Sequence, residues 1–242
     1  SHPHNPSGVA FTEADRGLLS EFQARTGALL ISDEVYLEFE PEPREATLLN
    51  LVQDLIIVRS FTKVFGLGTI RCSALAGTHE RVAALARLAD YTHTLLPTPT
   101  RAVAGRVWDH RHALWERART ASRAGRVEMD AFLGRATDLV EAYLPASGII
   151  CFPRLTDAAH AAAVGKAQEL GVHVDPRILP GPDPAAALWI EGLRQQTGIQ
   201  LTPGEFFGDD RAFRIGFGID PALVRKGLME VETWLRQAME EA

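Results

Sequence analysis

Apolar residues along this chain occur either in short unbroken runs or at helical spacing, and the switches between the two textures mark its elements. Residues 1–8, Ser1-His2-Pro3-His4-Asn5-Pro6-Ser7-Gly8, read as a turn-rich loop, with two prolines and a glycine. Thr12 is placed to cap a helix, with Glu13 and Asp15 in its first turn and Leu18, Leu19 and Phe22 on one face. Residues 28–32 form the continuous apolar run of a strand buried on both faces, ending in Asp33-Glu34-Val35-Tyr36. A second run, residues 55–58, leads into residues 60–63, and a third, residues 70–76, follows Gly66 and Gly68. Helix-like segments alternate with these runs, which predicts a parallel α/β sheet with helices on both faces.

From about residue 78 to 143 the pattern is helical, interrupted by Pro97 and Pro99. Val107, Trp108, Leu114, Trp115, Met129, Phe132 and Leu139 recur there at helical spacing and are expected to pack. After Pro145 the texture changes. Residues 148–152 and 213–217 read as strands, with helices over 157–170, 185–196 and 221–242. The predicted organisation is therefore a larger α/β portion over residues 1–144 and a smaller α+β domain over 145–242.

Composition narrows the function classes. With 46% apolar and 23% charged residues in a chain of 242, a disordered protein is excluded, because apolar burial can offset chain entropy. No apolar run approaches the roughly 18 residues a membrane span needs, and neither a membrane anchor nor a leader is expected. The net charge of −6 argues against a general nucleic-acid binder. Cys72 and Cys151 make no disulfide framework, so a cytoplasmic setting is expected. His2 with His4, and His110 with His112, lack the spacing and the further ligands of a metal site, and none is expected.

Of the 25 basic residues only three are lysines, Lys63, Lys166 and Lys226. Lys166 and Lys226 sit in helix-like surroundings rich in Ala and Glu and read as solvated. Lys63 sits in an apolar stretch at a strand end. A lysine kept there in an arginine-writing chain points to a need for an amine, the alternative being a side chain that snorkels from the strand.

In parallel sheets ligands bind beyond the carboxyl ends of the strands, where Asp33, Tyr36, Ser60 and Lys63 all fall. Together with Asn5 in its proline-bracketed turn, Arg71, and Arg214 in a late strand, they would all serve an aldehyde cofactor with a pyridinium ring and a phosphate. Lys63 would form the imine, a role suited to a lysine tuned by burial and nearby positive charge. Asp33 would pair with the ring nitrogen, keeping the ring an electron acceptor. Asn5 and Tyr36 would bond the ring oxygen, Ser60 and Arg71 would hold the phosphate, and Arg214 would grip a substrate carboxylate with its planar fork.

These residues carry a resemblance. Asn5-Pro6-Ser7-Gly8, Asp33-Glu34-Val35-Tyr36, Ser60-Phe61-Thr62-Lys63 with Arg71 eight residues on, and Phe213-Arg214-Ile215-Gly216 occur in this order. Together they resemble the class I/II aminotransferases of the fold-type-I pyridoxal-phosphate enzymes. Residues 202–208, Thr-Pro-Gly-Glu-Phe-Phe-Gly, are similar to a further family segment. The resemblance implies pyridoxal 5'-phosphate as cofactor and a Schiff base at Lys63. It also implies amino-acid and 2-oxo-acid substrates, a homodimer, and a seven-stranded, mostly parallel large-domain sheet followed by a small C-terminal domain. Thr69 stands where the family usually has a further glycine. The family's N-terminal arm, its phosphate loop opening a helix and its ring-stacking aromatic have no counterpart here, and a truncated chain is expected. Two alternatives stay open: another reaction of the same cofactor (decarboxylation, oxidation or hydroxylation, cyclisation), and a non-catalytic homologue.

Overall fold

The computed structural model describes residues 1–49, 51–92, 95–175 and 185–242. They form two compact units, one of Ser1–Asn5 with Val9–Thr120, the other of Pro6–Gly8 with Ala121–Ala242.

The first unit opens with helix α1, Glu13–Thr26, started by a reciprocal capping box in which Thr12 and Asp15 satisfy each other's backbone N–H groups. Gly27 ends it at a φ of 64°, where a side chain would be strained. Leu19 packs against Leu48, Leu55 and Ile57, and Gln23 is buried one turn further on. Leu18 and Phe22, expected on the same face, are exposed. Strand β1 (Leu30–Asp33), the short helix α2 (Pro43–Ala46), and strands β2 (Leu55–Ser60) and β3 (Ser73–Gly77) follow. The sheet order is β1-β2-β3, with β1 parallel to β2 and Asp33 level with Val58.

Two expectations are corrected here. β3 runs antiparallel to β2, Ser60 facing Ser73. A parallel return needs a long crossover, usually helical, whereas residues 61–72 contain no helix and turn straight back. β1 is not buried on both faces: Ser32 is buried, but Ile31 is 66% exposed. An apolar run records that a face is suited to burial, not what covers it. Helices α3 (His79–Thr92), α4 (Thr98–Asp109) and the first part of α5 (Arg111–Arg135) complete the unit. Pro99 lies in the first turn of α4, where its missing N–H costs nothing, so the proline starts this helix. Trp115 Nε1 donates to the Glu38 carbonyl, whereas Trp108 is 56% exposed and stacks on the Arg111 guanidinium instead of entering a core.

The second unit contains the rest of α5, then β4 (Val140–Glu141), β5 (Ile150–Cys151), β6 (Arg154–Leu155), α6 (Asp157–Glu169), α7 (Ala185–Thr197), β7 (Thr202–Pro203), β8 (Phe213–Gly216) and α8 (Pro221–Glu241). β8 is the middle strand of an antiparallel sheet ordered β5-β8-β7. Its core joins Met129 and Phe132 to Trp189, Phe213, Phe217 and Trp234. Trp189 meets Phe213 edge-on at 5.1 Å, the arrangement favoured by ring quadrupoles. Lys166, expected to be solvated, is 9% exposed: its ammonium lies over the Trp234 ring and pairs with Glu241 at 2.9 Å.

One close approach within this unit yields a prediction. A Cβ on Gly125 of α5 would overlap the Phe217 carbonyl oxygen. Alanine ordinarily stabilises a helix by about 1 kcal/mol over glycine. Here Gly125→Ala is expected to destabilise by roughly 1–3 kcal/mol, because backbone rather than a flexible side chain must move. Denaturant unfolding would show this as a lower midpoint at unchanged slope.

Candidate active site

The parallel pairing of β1 with β2 brings two chemistry-bearing turns to one end of the sheet. Beyond β1, the Glu34 N–H continues the ladder to the Val58 carbonyl at 3.0 Å, and Asp33 Oδ1 accepts the Val35 N–H at 3.2 Å. This tight turn leaves the Asp33 side chain exposed and puts Tyr36, which is buried, at the head of a 3-10 turn, Leu37–Phe39. Beyond β2, the Thr62 N–H donates to Ser60 Oγ at 3.1 Å, bending the chain so that Lys63 Nζ stands 5.4 Å from the centre of the Tyr36 ring.

Three hydroxyls gather at the foot of that turn. Ser60 Oγ lies 2.9 Å from Thr62 Oγ1 and accepts from Ser73 Oγ at 3.4 Å. Arg71 closes the same loop at a φ of 52° and donates to the Gly68 carbonyl at 3.3 Å. A non-glycine residue in the left-handed region costs of order 1 kcal/mol, and such strain clusters at ligand-holding turns. Asn5 reaches this end of the sheet through its own segment: the His2 N–H donates to the Asp33 carbonyl at 2.8 Å.

The structure thus places Asp33, Tyr36, Ser60, Lys63 and Arg71 at one end of one sheet, with Asn5 three residues beyond the His2 bond to Asp33. Lys63 itself is exposed, so the burial expected of it is not present. Arg214 belongs to the second unit, half-buried on β8. There its Nη2 donates to Thr202 Oγ1 at 3.3 Å, and its guanidinium lies 5.4 Å from the centre of the Phe207 ring. Glu205 accepts the Ala187 N–H at the start of α7 with Oε1, and its Oε2 has no hydrogen-bond partner among the described residues.

Sequence reasoning missed three contributors. Thr62 and Ser73 add hydroxyls beside Ser60; Thr62 was readable from its place two residues on, but Ser73 required the antiparallel register. In the sequence Glu34 stands only within the Asp33-Glu34-Val35-Tyr36 string. It is fully buried, accepting from Thr47 Oγ1 at 2.8 Å and the Leu48 N–H at 2.9 Å, and pairing with Arg59 at 3.0 Å. That network fixes the turn from which Asp33 and Tyr36 project. Cys151 supplies no nucleophile, since burial pushes its thiol up to about 12.

The chemistry of this donor set fits a phosphorylated aldehyde. There is one amine, a carboxylate one strand away, and hydroxyls with a guanidinium at the head of the adjoining loop. Solved structures share the fold. A pyridoxal-phosphate-dependent aminotransferase from Streptococcus suis superposes with a TM-score of 0.79 at 23% identity, over 98% of this chain and 56% of that one. The pyridoxal-phosphate-dependent cyclase OrfR gives 0.75 at 24% identity, over 97% and 57%. In sequence, histidinol-phosphate aminotransferase 1 of Psychrobacter arcticus is 37% identical over 73 residues, covering 29% of this chain and 18% of that protein. The chain spans little more than half the length of the solved structures it matches. A family model described as aminotransferase class I and II matches residues 1–231, the stretch that contains every residue of the site just described. By that match, and by the fold its neighbours share, the chain belongs to the class I and II aminotransferase family.

Proposed function

We propose that this chain carries the cofactor-holding and proton-moving residues of a pyridoxal 5'-phosphate-dependent aminotransferase acting on an α-amino acid and a 2-oxo acid. The observation that carries the reading is the convergence of Lys63, Tyr36, Asp33, Ser60 and Arg71 at one sheet end. When bound, the cofactor supplies an electron sink for the bond broken at the substrate α-carbon. Lys63 Nζ would hold the aldehyde carbon and serve as the group that takes up and returns a proton there. The Asp33 carboxylate would keep the ring nitrogen protonated, and Asn5 with Tyr36 would hydrogen-bond the ring oxygen. Arg71, with the hydroxyls of Ser60, Thr62 and Ser73, would hold the phosphate.

Arg214 is the proposed holder of the substrate carboxylate, in a small domain over residues 145–242, with residues 1–144 belonging to the cofactor-binding domain. A seven-stranded, mostly parallel sheet with helices on both faces, a homodimer and a cytoplasmic setting belong to the same reading. No described helix is long and apolar enough to cross a membrane.

The test is covalent. After loading with pyridoxal 5'-phosphate and reduction with borohydride, peptide mapping is expected to find the label on Lys63. Label on Lys166 or Lys226, or none on any lysine, would overturn the assignment. Release of the 2-oxo acid of the donor with stoichiometric amino transfer separates transamination from decarboxylation, oxidation or cyclisation.

A further inference from the structure

His2 is 1% exposed, three residues before Asn5, and its backbone N–H and both ring nitrogens have partners. Its backbone N–H donates to the Asp33 carbonyl at 2.8 Å. Its Nε2 lies 2.9 Å from the Ala46 carbonyl, which can only accept, so Nε2 carries the proton. Its Nδ1 lies 3.1 Å from the Phe11 N–H, which can only donate, so Nδ1 carries none. The imidazole also stacks on the Phe11 ring at 4.7 Å with 19° between the planes. One neutral tautomer satisfies this geometry, and neither the other tautomer nor the imidazolium does.

We infer that His2 is a positioning residue. Its backbone N–H ties the segment leading to Asn5 to the end of β1 at Asp33; as the Nε2–H imidazole it adds ties to α2 at Ala46 and to the chain at Phe11, and protonation breaks the tie at Phe11. That the tie serves a cofactor site rests on the function proposed above; the tie itself does not.

A protonated Nδ1 would turn a donor toward the Phe11 N–H, leaving two donors face to face in a buried place. The groups facing the ring set how hard it is to protonate. Burial acts first and holds His2 below the usual histidine value. The Ala46 carbonyl and the Glu34 and Glu40 carboxylates pull the other way, and Arg16 on α1 works with burial. The sign follows. A histidine depressed in the folded state favours folding while neutral, so the contribution is complete above about 6.5, the unfolded value, and is lost as pH falls through the lower folded value.

The experiment is done on the full chain with ¹⁵N labelling. At neutral pH the His2 ring shifts are expected to show a protonated Nε2 and a bare Nδ1. Protection of the Phe11 amide from hydrogen exchange, corrected for intrinsic rates, is expected to fall by up to about tenfold per pH unit between about 6.5 and the lower His2 midpoint, as for a one-proton event, and to level off below it. His2→Asn offers an acceptor at the place of Nδ1 and no proton to gain, so its Phe11 protection is expected to stay flat across the same range. His2→Ala is expected to lose the protection at every pH. With pyridoxal 5'-phosphate bound, the visible absorbance is expected to show a step at the His2 midpoint that is absent from His2→Asn, while far-ultraviolet circular dichroism stays unchanged through it.

An Nδ1–H or doubly protonated ring at neutral pH, or the same pH dependence of Phe11 protection in His2→Asn as in the wild type, would overturn the inference. So would an absorbance step retained in His2→Asn. Failure to bind the cofactor at all, with the Phe11 results as expected, would strike the proposed function and leave the tie standing.

Discussion

Replacing Lys63 with alanine is expected to cut turnover by at least about a thousandfold while leaving thermal unfolding almost where it was. A positioned acid–base group contributes on the order of 10²–10⁴-fold, and about three decades correspond to ~4 kcal/mol of transition-state stabilisation. The amine that would hold the cofactor is lost in the same substitution, so the upper part of that range applies. Stability should respond little, because Lys63 is exposed and its recorded contact is the Tyr36 ring at 5.4 Å, a cation–π approach worth roughly 0.5–1 kcal/mol at an exposed site. Lys226→Ala, an exposed lysine on α8, is the control and should keep full turnover. Steady-state rates beside melting curves of both variants check the prediction; a Lys63→Ala protein that turned over normally would remove the lysine from the mechanism.

The second large effect concerns Arg214. Arg214→Lys is expected to raise the Michaelis constant for the amino acid and to lower kcat/KM by roughly ten- to a hundredfold, with the cofactor's visible spectrum unchanged. A guanidinium meets a carboxylate with two parallel N–H donors, a geometry the ammonium cannot copy, and hydrogen bonds to charged groups contribute ~1.5–3 kcal/mol. The competing role is structural. Arg214 touches Thr202 Oγ1 and the Phe207 ring within its own unit, so a purely structural arginine would cost stability when replaced and leave the Michaelis constant alone. The split between a changed Michaelis constant and a changed melting temperature separates the two roles.

Much of the candidate site was legible because its chemistry sits in local strings. The turn after β1 and the turn after β2 are each a few residues long, and each follows an apolar run whose end is plain in the sequence. The helices read over 157–170, 185–196 and 221–242 form over 157–169, 185–197 and 221–241, and were legible for a similar reason, since periodicity acts within a few residues. Thr12 with Asp15 is the clearest case: both partners of the capping box lie three residues apart and find each other whatever the rest of the chain does.

What depends on distant partners was settled by tertiary structure alone. The apolar character of residues 70–76 marks a strand, but its direction came from a connection that returns without a helix, and with it came the meeting of Ser73 with Ser60. Lys166 in an alanine-rich helix reads as solvated until α8 lays Trp234 and Glu241 beside it, 68 and 75 positions away. Ile31 carries the same apolar signal as Ile56, its buried register partner on β2, and lies open. His2 shows the point most sharply. Beside His4 it resembles half of a metal pair, yet its ring is defined by a carbonyl 44 residues away and an amide nine away, whose opposite polarities assign the proton to one nitrogen. Sequence determines which groups this protein can present, because propensity, capping and turn chemistry act within a few residues; which partner each group meets, and so its burial and protonation, is decided only when separate segments pack.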